Sequence, residues 1–218
     1  MNKVISIDEA LTYVKDGMTI MVGGFLGCGN PHRLIDAIVE KGVKDIMLIC
    51  NDSGFPEIGV GKLVVNKQVK KLITSHVGTN PETGKQMNSG EMEVLLVPQG
   101  TLAEQVRAGG AGLGGFLTQT GVGTIVEEGK EKMVIDGITY LLELPIRADI
   151  ALIAGETVDK YGNIVYFGAT RNFNNLMATA ADIVIVEAEK VVDVGDLDPN
   201  HVVTPGIFIN YIVNGGTN

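Results

Sequence analysis

Apolar residues gather along this chain in short unbroken runs separated by amphipathic stretches. Ile20, Met21 and Val22 form one such run. Residues 19–22 therefore read as a strand covered on both faces, since a half-exposed strand would alternate. Residues 45–50, 69–74 and 94–97 repeat the pattern in the first half, and residues 150–154, 164–167 and 183–186 in the second. Between the runs the period lengthens. Leu34, Ile35, Ala37 and Ile38 fall at helical spacing, so residues 31–41 predict a helix that Gly42 ends. Ser6 caps a helix carrying Leu11 and Val14, Thr101 caps one over 102–107, and residues 173–180 form another. Asp136-Gly137 sits between two segments, 132–135 and 139–142, which marks a β-hairpin. Strands alternating with helices imply an α/β fold with a mostly parallel sheet covered on both sides. No internal repeat or linker interrupts the pattern. Residues 1–218 read as a single domain, with the hairpin near 132–142 as its one candidate insertion.

The turn after the first buried strand is the most distinctive stretch. Gly23, Gly24, Gly27 and Gly29 surround Phe25, Leu26 and Cys28. Glycine permits positive φ and lets a ligand approach the backbone with no Cβ in the way. Asn30 is placed to cap the next helix, and Pro31 to occupy its first turn. Free N–H groups at a helix N-terminus favour an anionic or carbonyl-oxygen ligand, so residues 23–29 read as a ligand loop. The alternative is that the glycines serve only a tight turn and close helix–sheet contact. Phe25 divides evenly between the wall of a ligand channel and a core anchor. Cys28 reads as a small packing residue. A second glycine-dense segment, residues 109–123, is given no regular structure and reads as a functional or interface loop.

The net charge of -9 argues against nucleic acid as a partner, because phosphate binding needs clustered cations. The main basic run, with Lys62, Lys67, Lys70 and Lys71, reads as a solvated face. No apolar run is long enough to cross a membrane, and the first residues lack a secretion signal. Cys28 and Cys50 stand in unlike contexts, which argues against a disulfide scaffold and fits a cytoplasmic protein. His32, His76 and His201 show no metal-ligand spacing, and no Gly-x-x-x-x-Gly-Lys-Ser/Thr loop is present, so neither a metal nor a nucleoside triphosphate is expected. Gln99 follows a strand end, where ligand crevices of open α/β sheets lie, and its amide both donates and accepts. Asn51, directly after another strand, divides as Gln99 does between substrate contact and a structural role. Arg107 and Arg171 suit either a phosphate or carboxylate ligand or a salt bridge at a subunit interface.

A resemblance sharpens these readings. Asp-Gly, two residues, three apolar residues, Gly-Gly-Phe, three residues, Gly, one residue and Pro over residues 16–31 resembles the signature of the family I CoA-transferase α subunit. Further segments similar to the family follow in order. They include Ser-His-Val-Gly-Thr-Asn-Pro-Glu at 75–82, Pro-Gln-Gly-Thr-Leu at 98–102, Arg-Ala-Gly-Gly-Ala-Gly at 107–112 and Ala-Thr-Arg-Asn-Phe-Asn at 169–174. The likeness implies a three-layer α/β/α sandwich of the CoA-transferase type. It implies coenzyme A as a substrate with no further cofactor, exchanged between short-chain acids such as acetate, butyrate and acetoacetate. The family's nucleophilic glutamate lies in a Ser-Glu-Asn-Gly motif on the β subunit. That motif is absent from this sequence, and Glu91 and Glu156 are its nearest lookalikes. The resemblance therefore implies no catalytic residue in this chain and a β-subunit partner, as αβ or α2β2. Its CoA- and substrate-binding share would be Gly23, Gly24, Phe25, Leu26, Gly27, Cys28, Gly29, Asn51 and Gln99. The rival readings are a sugar-phosphate isomerase-like enzyme on a related fold and a non-catalytic acyl-CoA-binding regulator. The glycine-rich 109–123 segment is expected to pack on the partner.

Overall fold

Ile20 pairs with Leu48 on one side and with Ile150 on the other, which places the first buried run at the centre of a sheet. The computed structural model describes residues 2–216. The first half contains β1 (Val4–Ile5), α1 (Ile7–Leu11), β2 (Thr19–Val22), α2 (His32–Lys41), β3 (Ile46–Cys50), α3 (Gly61–Val65), β4 (Val69–Thr74), α4 (Pro81–Ser89) and β5 (Glu93–Leu96). It continues through α5 (Gln99–Ala111), β6 (Phe116–Thr118), β7 (Lys132–Ile135) and β8 (Ile138–Glu143). The second half adds β9 (Ala148–Asp159), β10 (Ile164–Val165), α6 (Asn174–Met177), β11 (Ala181–Val192) and β12 (Tyr211–Asn214).

The main sheet runs β1-β12-β11-β9-β2-β3-β4-β5, parallel throughout, with β10 antiparallel to β9. The chain winds outward from β2 towards β5, then returns and winds the other way from β9 towards β12. The reversal between β2 and β9 is a topological switch point, where the crevice at the carboxyl ends of the strands opens. Successive residues face opposite sides of the sheet. Ile20, Val22 and Leu48 join Leu34, Ile35 and Ile38 of α2 in one core, whereas Met21 and Ile49 join Leu102 and Val106 of α5 and Met177 of α6 in the other. These two cores make the three layers.

The hairpin forms as expected, with Asp136 and Gly137 both at positive φ (50° and 77°), the conformation of a primed two-residue turn. It belongs to a separate antiparallel sheet ordered β6-β8-β7. The glycine-dense segment differs from its expectation. Gly109 and Gly110 lie inside α5, and residues 116–118 form β6. A Cβ on Gly109 would stand 2.0 Å from the Ile146 carbonyl oxygen, and one on Gly110 2.0 Å from Thr179 Oγ1. These two glycines let α5 touch its own chain, which gives them a packing role inside the subunit. Helix α5 starts at Gln99, after Pro98 in the N-cap position, and Thr101 is buried in its first turn instead of capping it. The second-half strands β9 and β11 run on to 12 residues each, past polar positions that mark no strand in the sequence, because each pairs with the other from end to end.

Candidate functional site

Residues 23–29 leave the carboxyl end of β2 as a closed arch. Phe25 N–H donates to Cys28 O at 2.9 Å and Cys28 N–H to Phe25 O at 2.8 Å. Leu26 and Gly27 turn the tip at φ 48° and 86°. Most of the arch's donors are engaged within the chain. Gly23 N–H reaches Leu152 O (3.0 Å), Gly24 N–H Asn172 Oδ1 (3.1 Å) and Leu26 N–H Asp52 Oδ2 (3.0 Å). Among the described residues, the N–H groups of Gly27 and Gly29 have no such partner.

The N-terminus of α2 is likewise occupied, which corrects the expected free donors there. Glu187 of β11 accepts from Arg33 N–H at 3.2 Å and from Leu34 N–H at 2.8 Å. A carboxylate suits the positive end of the helix dipole. Burial nevertheless pushes the Glu187 carboxyl above its ordinary range, against the pull of these two bonds. Asn30 does not cap the helix. Pro31 stands at the N-cap, and Asn30 Nδ2 turns back to donate to Gly23 O at 2.5 Å.

Beside the arch, the carboxyl ends of β3 and β4 and the start of α5 bring three polar side chains together. Gln99 Nε2 donates to Asn51 Oδ1. Ser75 Oγ lies within hydrogen-bond distance of Gln99 Oε1 and 2.6 Å from Asn51 O. Asn51 is buried and Gln99 exposed, so the cluster opens outward through Gln99. Asp52 carries three hydrogen bonds, from Leu26 N–H, Asn51 Nδ2 (3.0 Å) and Gly54 N–H (2.8 Å). It is committed to holding the arch against the cluster.

A second arch follows β3. Gly24, Phe25 and Gly29 recur thirty positions on as Gly54, Phe55 and Gly59, and Phe55 pairs with Ile58 as Phe25 pairs with Cys28. The arches touch, since a Cβ on Gly27 would meet Ile58 Cδ1 at 3.1 Å. Phe25, Phe55 and Ile58 are all exposed at this edge, which removes the core-anchor reading of Phe25. This local repeat corrects the expectation of none, and the Gly-Phe spacing repeated thirty residues apart is the sequence signal for it. Cys28 is exposed, contrary to the expected packing role, whereas Cys50 is buried and its thiol pKa is pushed up by that burial.

The remaining candidates divide. Behind the arch, Glu156, Glu187 and Glu189 line a cavity of 240 Å³ with Gly27, Gly29 and His32. Its acidic lining disfavours an anion. Glu91 pairs with Lys67 at 2.8 Å and is spent there. Lys62 pairs with Asp36 and Lys71 with Glu93, so three of the four lysines in the basic run are matched by carboxylates. Arg107 pairs with Glu104 on the α5 surface at 2.8 Å, whereas Arg171 forms no ion pair among the described residues.

Known proteins share this chain's sequence pattern and its fold. The family model described as Coenzyme A transferase matches residues 4–215. The chain is 57% identical to the acetate CoA-transferase subunit alpha of Escherichia coli (strain K12), over 97% of this chain and 96% of that protein. It is 54% identical to the acetoacetyl-CoA:acetate/butyrate CoA transferase alpha subunit of Clostridium acetobutylicum, over 97% of each. An acyl-CoA transferase from Escherichia coli O157:H7, solved as a thioester complex with CoA, superposes with a TM-score of 0.85. At 24% identity that likeness shows the fold alone; it covers 97% of this chain and 47% of that one. The chain belongs to the coenzyme A transferase family.

Proposed function

We propose that this chain is the α subunit of a heteromeric CoA-transferase that moves CoA between short-chain carboxylic acids, with acetate, butyrate and acetoacetate as substrates. The names of the two similar α subunits support that substrate class. The observation that carries the reading is the amide cluster beside the glycine arch, with Gln99 exposed at its mouth and Asn51 buried behind. Gln99 Nε2 has two hydrogens and gives one to Asn51. The second is available to a substrate oxygen on which negative charge develops.

The carboxylate beside this cluster, Asp52, is committed to three hydrogen bonds and is a poor nucleophile. This supports a glutamate supplied by a β subunit, in an αβ or α2β2 enzyme. That glutamate attacks the thioester carbonyl, expelling CoA thiolate and leaving an acyl–glutamyl anhydride. The thiolate returns to the glutamyl carbonyl and releases the first carboxylate, giving a glutamyl-CoA thioester. The acceptor acid then runs the sequence backwards. On this reading Gly23, Gly24, Phe25, Leu26, Gly27, Cys28 and Gly29 form one wall of the site, and Gln99, held from behind by Asn51, polarises the reacting oxygen. Coenzyme A is a substrate and no separate cofactor takes part. We read the chain as one domain and place it in the cytoplasm. No helix of the described residues is long and apolar enough to cross a membrane.

The test is formation of acetoacetyl-CoA from acetyl-CoA and acetoacetate. Activity is expected from the chain mixed with its cognate β subunit and not from the chain alone. Activity without the partner would overturn the assignment of the nucleophile and turn attention to Glu156.

A further inference from the structure

One motif singled out in the sequence plays no part in the chemistry above. Arg-Asn-Phe-Asn at 171–174 is remote in sequence from the glycine arch, yet both of its asparagines grip that arch. Asn172 Oδ1 accepts from Gly24 N–H at 3.1 Å, and Asn172 Nδ2 donates to Cys28 O at 3.0 Å. A single side chain thus ties the first limb of the arch to the second. Asn174 is wholly buried and holds the last limb. Its Nδ2 donates to Gly29 O at 2.9 Å and to Thr170 O at 2.7 Å, while its Oδ1 accepts from Ala154 N–H of β9 at 3.0 Å.

The glycines make room for these amides. A Cβ on Gly23 would lie 1.9 Å from Asn174 Oδ1, and one on Gly29 2.6 Å from Thr170 O. A loop with four glycines has wide conformational freedom by itself. Two side chains that satisfy its backbone from outside narrow that freedom to one shape.

We propose that Asn172 and Asn174 are positioning residues, holding residues 23–29 in the one shape that presents the arch to the CoA thioester. The inference rests on the proposed role of the arch as a wall of the site. Neither asparagine need touch substrate. Their effect is on where the arch stands, and a displacement of about 1 Å in such a wall costs on the order of 100-fold in rate.

The experiment uses the complex of this chain with its cognate β subunit. Asn172→Ala removes both bonds across the arch. Asn172→Asp keeps the acceptor for Gly24 and sets a carboxylate oxygen against the Cys28 and Ala169 carbonyls, which Asn172 Nδ2 now serves. Asn172 is half-buried and sits in a turn outside the strands and helices, so both variants are expected to fold. With acetyl-CoA and acetoacetate, kcat should fall about 10- to 100-fold while KM stays within about twofold. Amide hydrogen exchange should quicken in peptides covering 23–29 and, for Asn172→Ala, at Phe173, whose N–H also donates to Asn172 Oδ1. Asn174→Asp serves as a second variant and should give the same pattern. Faster exchange in the arch with unchanged kcat overturns the inference, and so does a loss of kcat that only follows loss of folded or β-bound protein. A wild-type complex that transfers no CoA overturns the functional reading instead. The exchange data then still report the grip on the arch, so the two failures are distinguishable.

Discussion

Glu187 on β11 accepts a 2.8 Å hydrogen bond from the backbone N–H of Leu34, so one strand of the second half caps the first long helix of the first half. The contact joins elements 153 residues apart. It also puts a carboxyl group into a buried place where its ionised form is disfavoured.

The sign of the resulting pH dependence follows from that raised pKa. A group whose folded pKa lies above its unfolded value contributes stability that is complete below the unfolded value and lost as pH rises through the folded one. The stability advantage of wild type over Glu187→Gln should be largest at acid pH and shrink as pH rises from 4.5 through the raised value. Urea unfolding of both proteins across that range is the measurement. A difference that grows with pH would contradict the assignment.

Substitution of two glycines at positive φ should have unequal effects. Gly42 ends α2 at φ 71°, and a methyl group there would meet nothing within 4 Å, so Gly42→Ala should cost only the left-handed backbone strain, about 1 kcal/mol. Gly24 has φ 115°, and a Cβ there would stand 2.0 Å from Asn30 Nδ2. Gly24→Ala should cost about 3 kcal/mol or more by denaturant unfolding, since the clash adds to the strain.

Lys130 meets the buried carboxylate of Glu143 at 2.5 Å, and Gln105 Nε2 donates to the same group at 3.0 Å. Removing the cation strands a buried charge. Lys130→Met should destabilise the protein by about 3 kcal/mol, and adding Glu143→Gln should restore most of the loss. Thermal unfolding of the single and double variants tests this, and a neutral Lys130→Met would refute it.

Gln99→Leu should cost about 1–3 kcal/mol of stability, because the buried Asn51 Oδ1 loses its donor, and should lower kcat of the folded complex with the β subunit about 100-fold or more. Steady-state kinetics with acetyl-CoA and acetoacetate measure it. Loss of β-subunit binding in place of turnover would move Gln99 from the reaction to the interface.

The fold was legible where local pattern decides it. Strands 19–22 and 69–74 and the Asp136-Gly137 hairpin stand where periodicity and turn chemistry place them. Sequence pattern alone ends helix α5 at residue 107, because Gly109 and Gly110 oppose helix propensity locally. The close approach of Ile146 and Thr179, a tertiary fact, is what requires them. The candidate site was legible as residue types at strand ends, Asn51 and Gln99 among them. Its wiring was not. That Asn172 and Asn174 grip the glycine arch, and that Glu187 takes the helix donors expected to face a ligand, depends on contacts over more than a hundred residues, which carry no local signature.

Among the described residues, strand β1 finds its only neighbour in β12, with Val4 opposite Ile212 and Ile5 opposite Val213. Their pairing closes a loop of about two hundred residues, whereas the strands at the middle of the sheet meet across far shorter connections. Long-range closure of this kind is slow relative to local contacts. This edge of the sheet is therefore expected to zip up after its middle, and to be the first to fray.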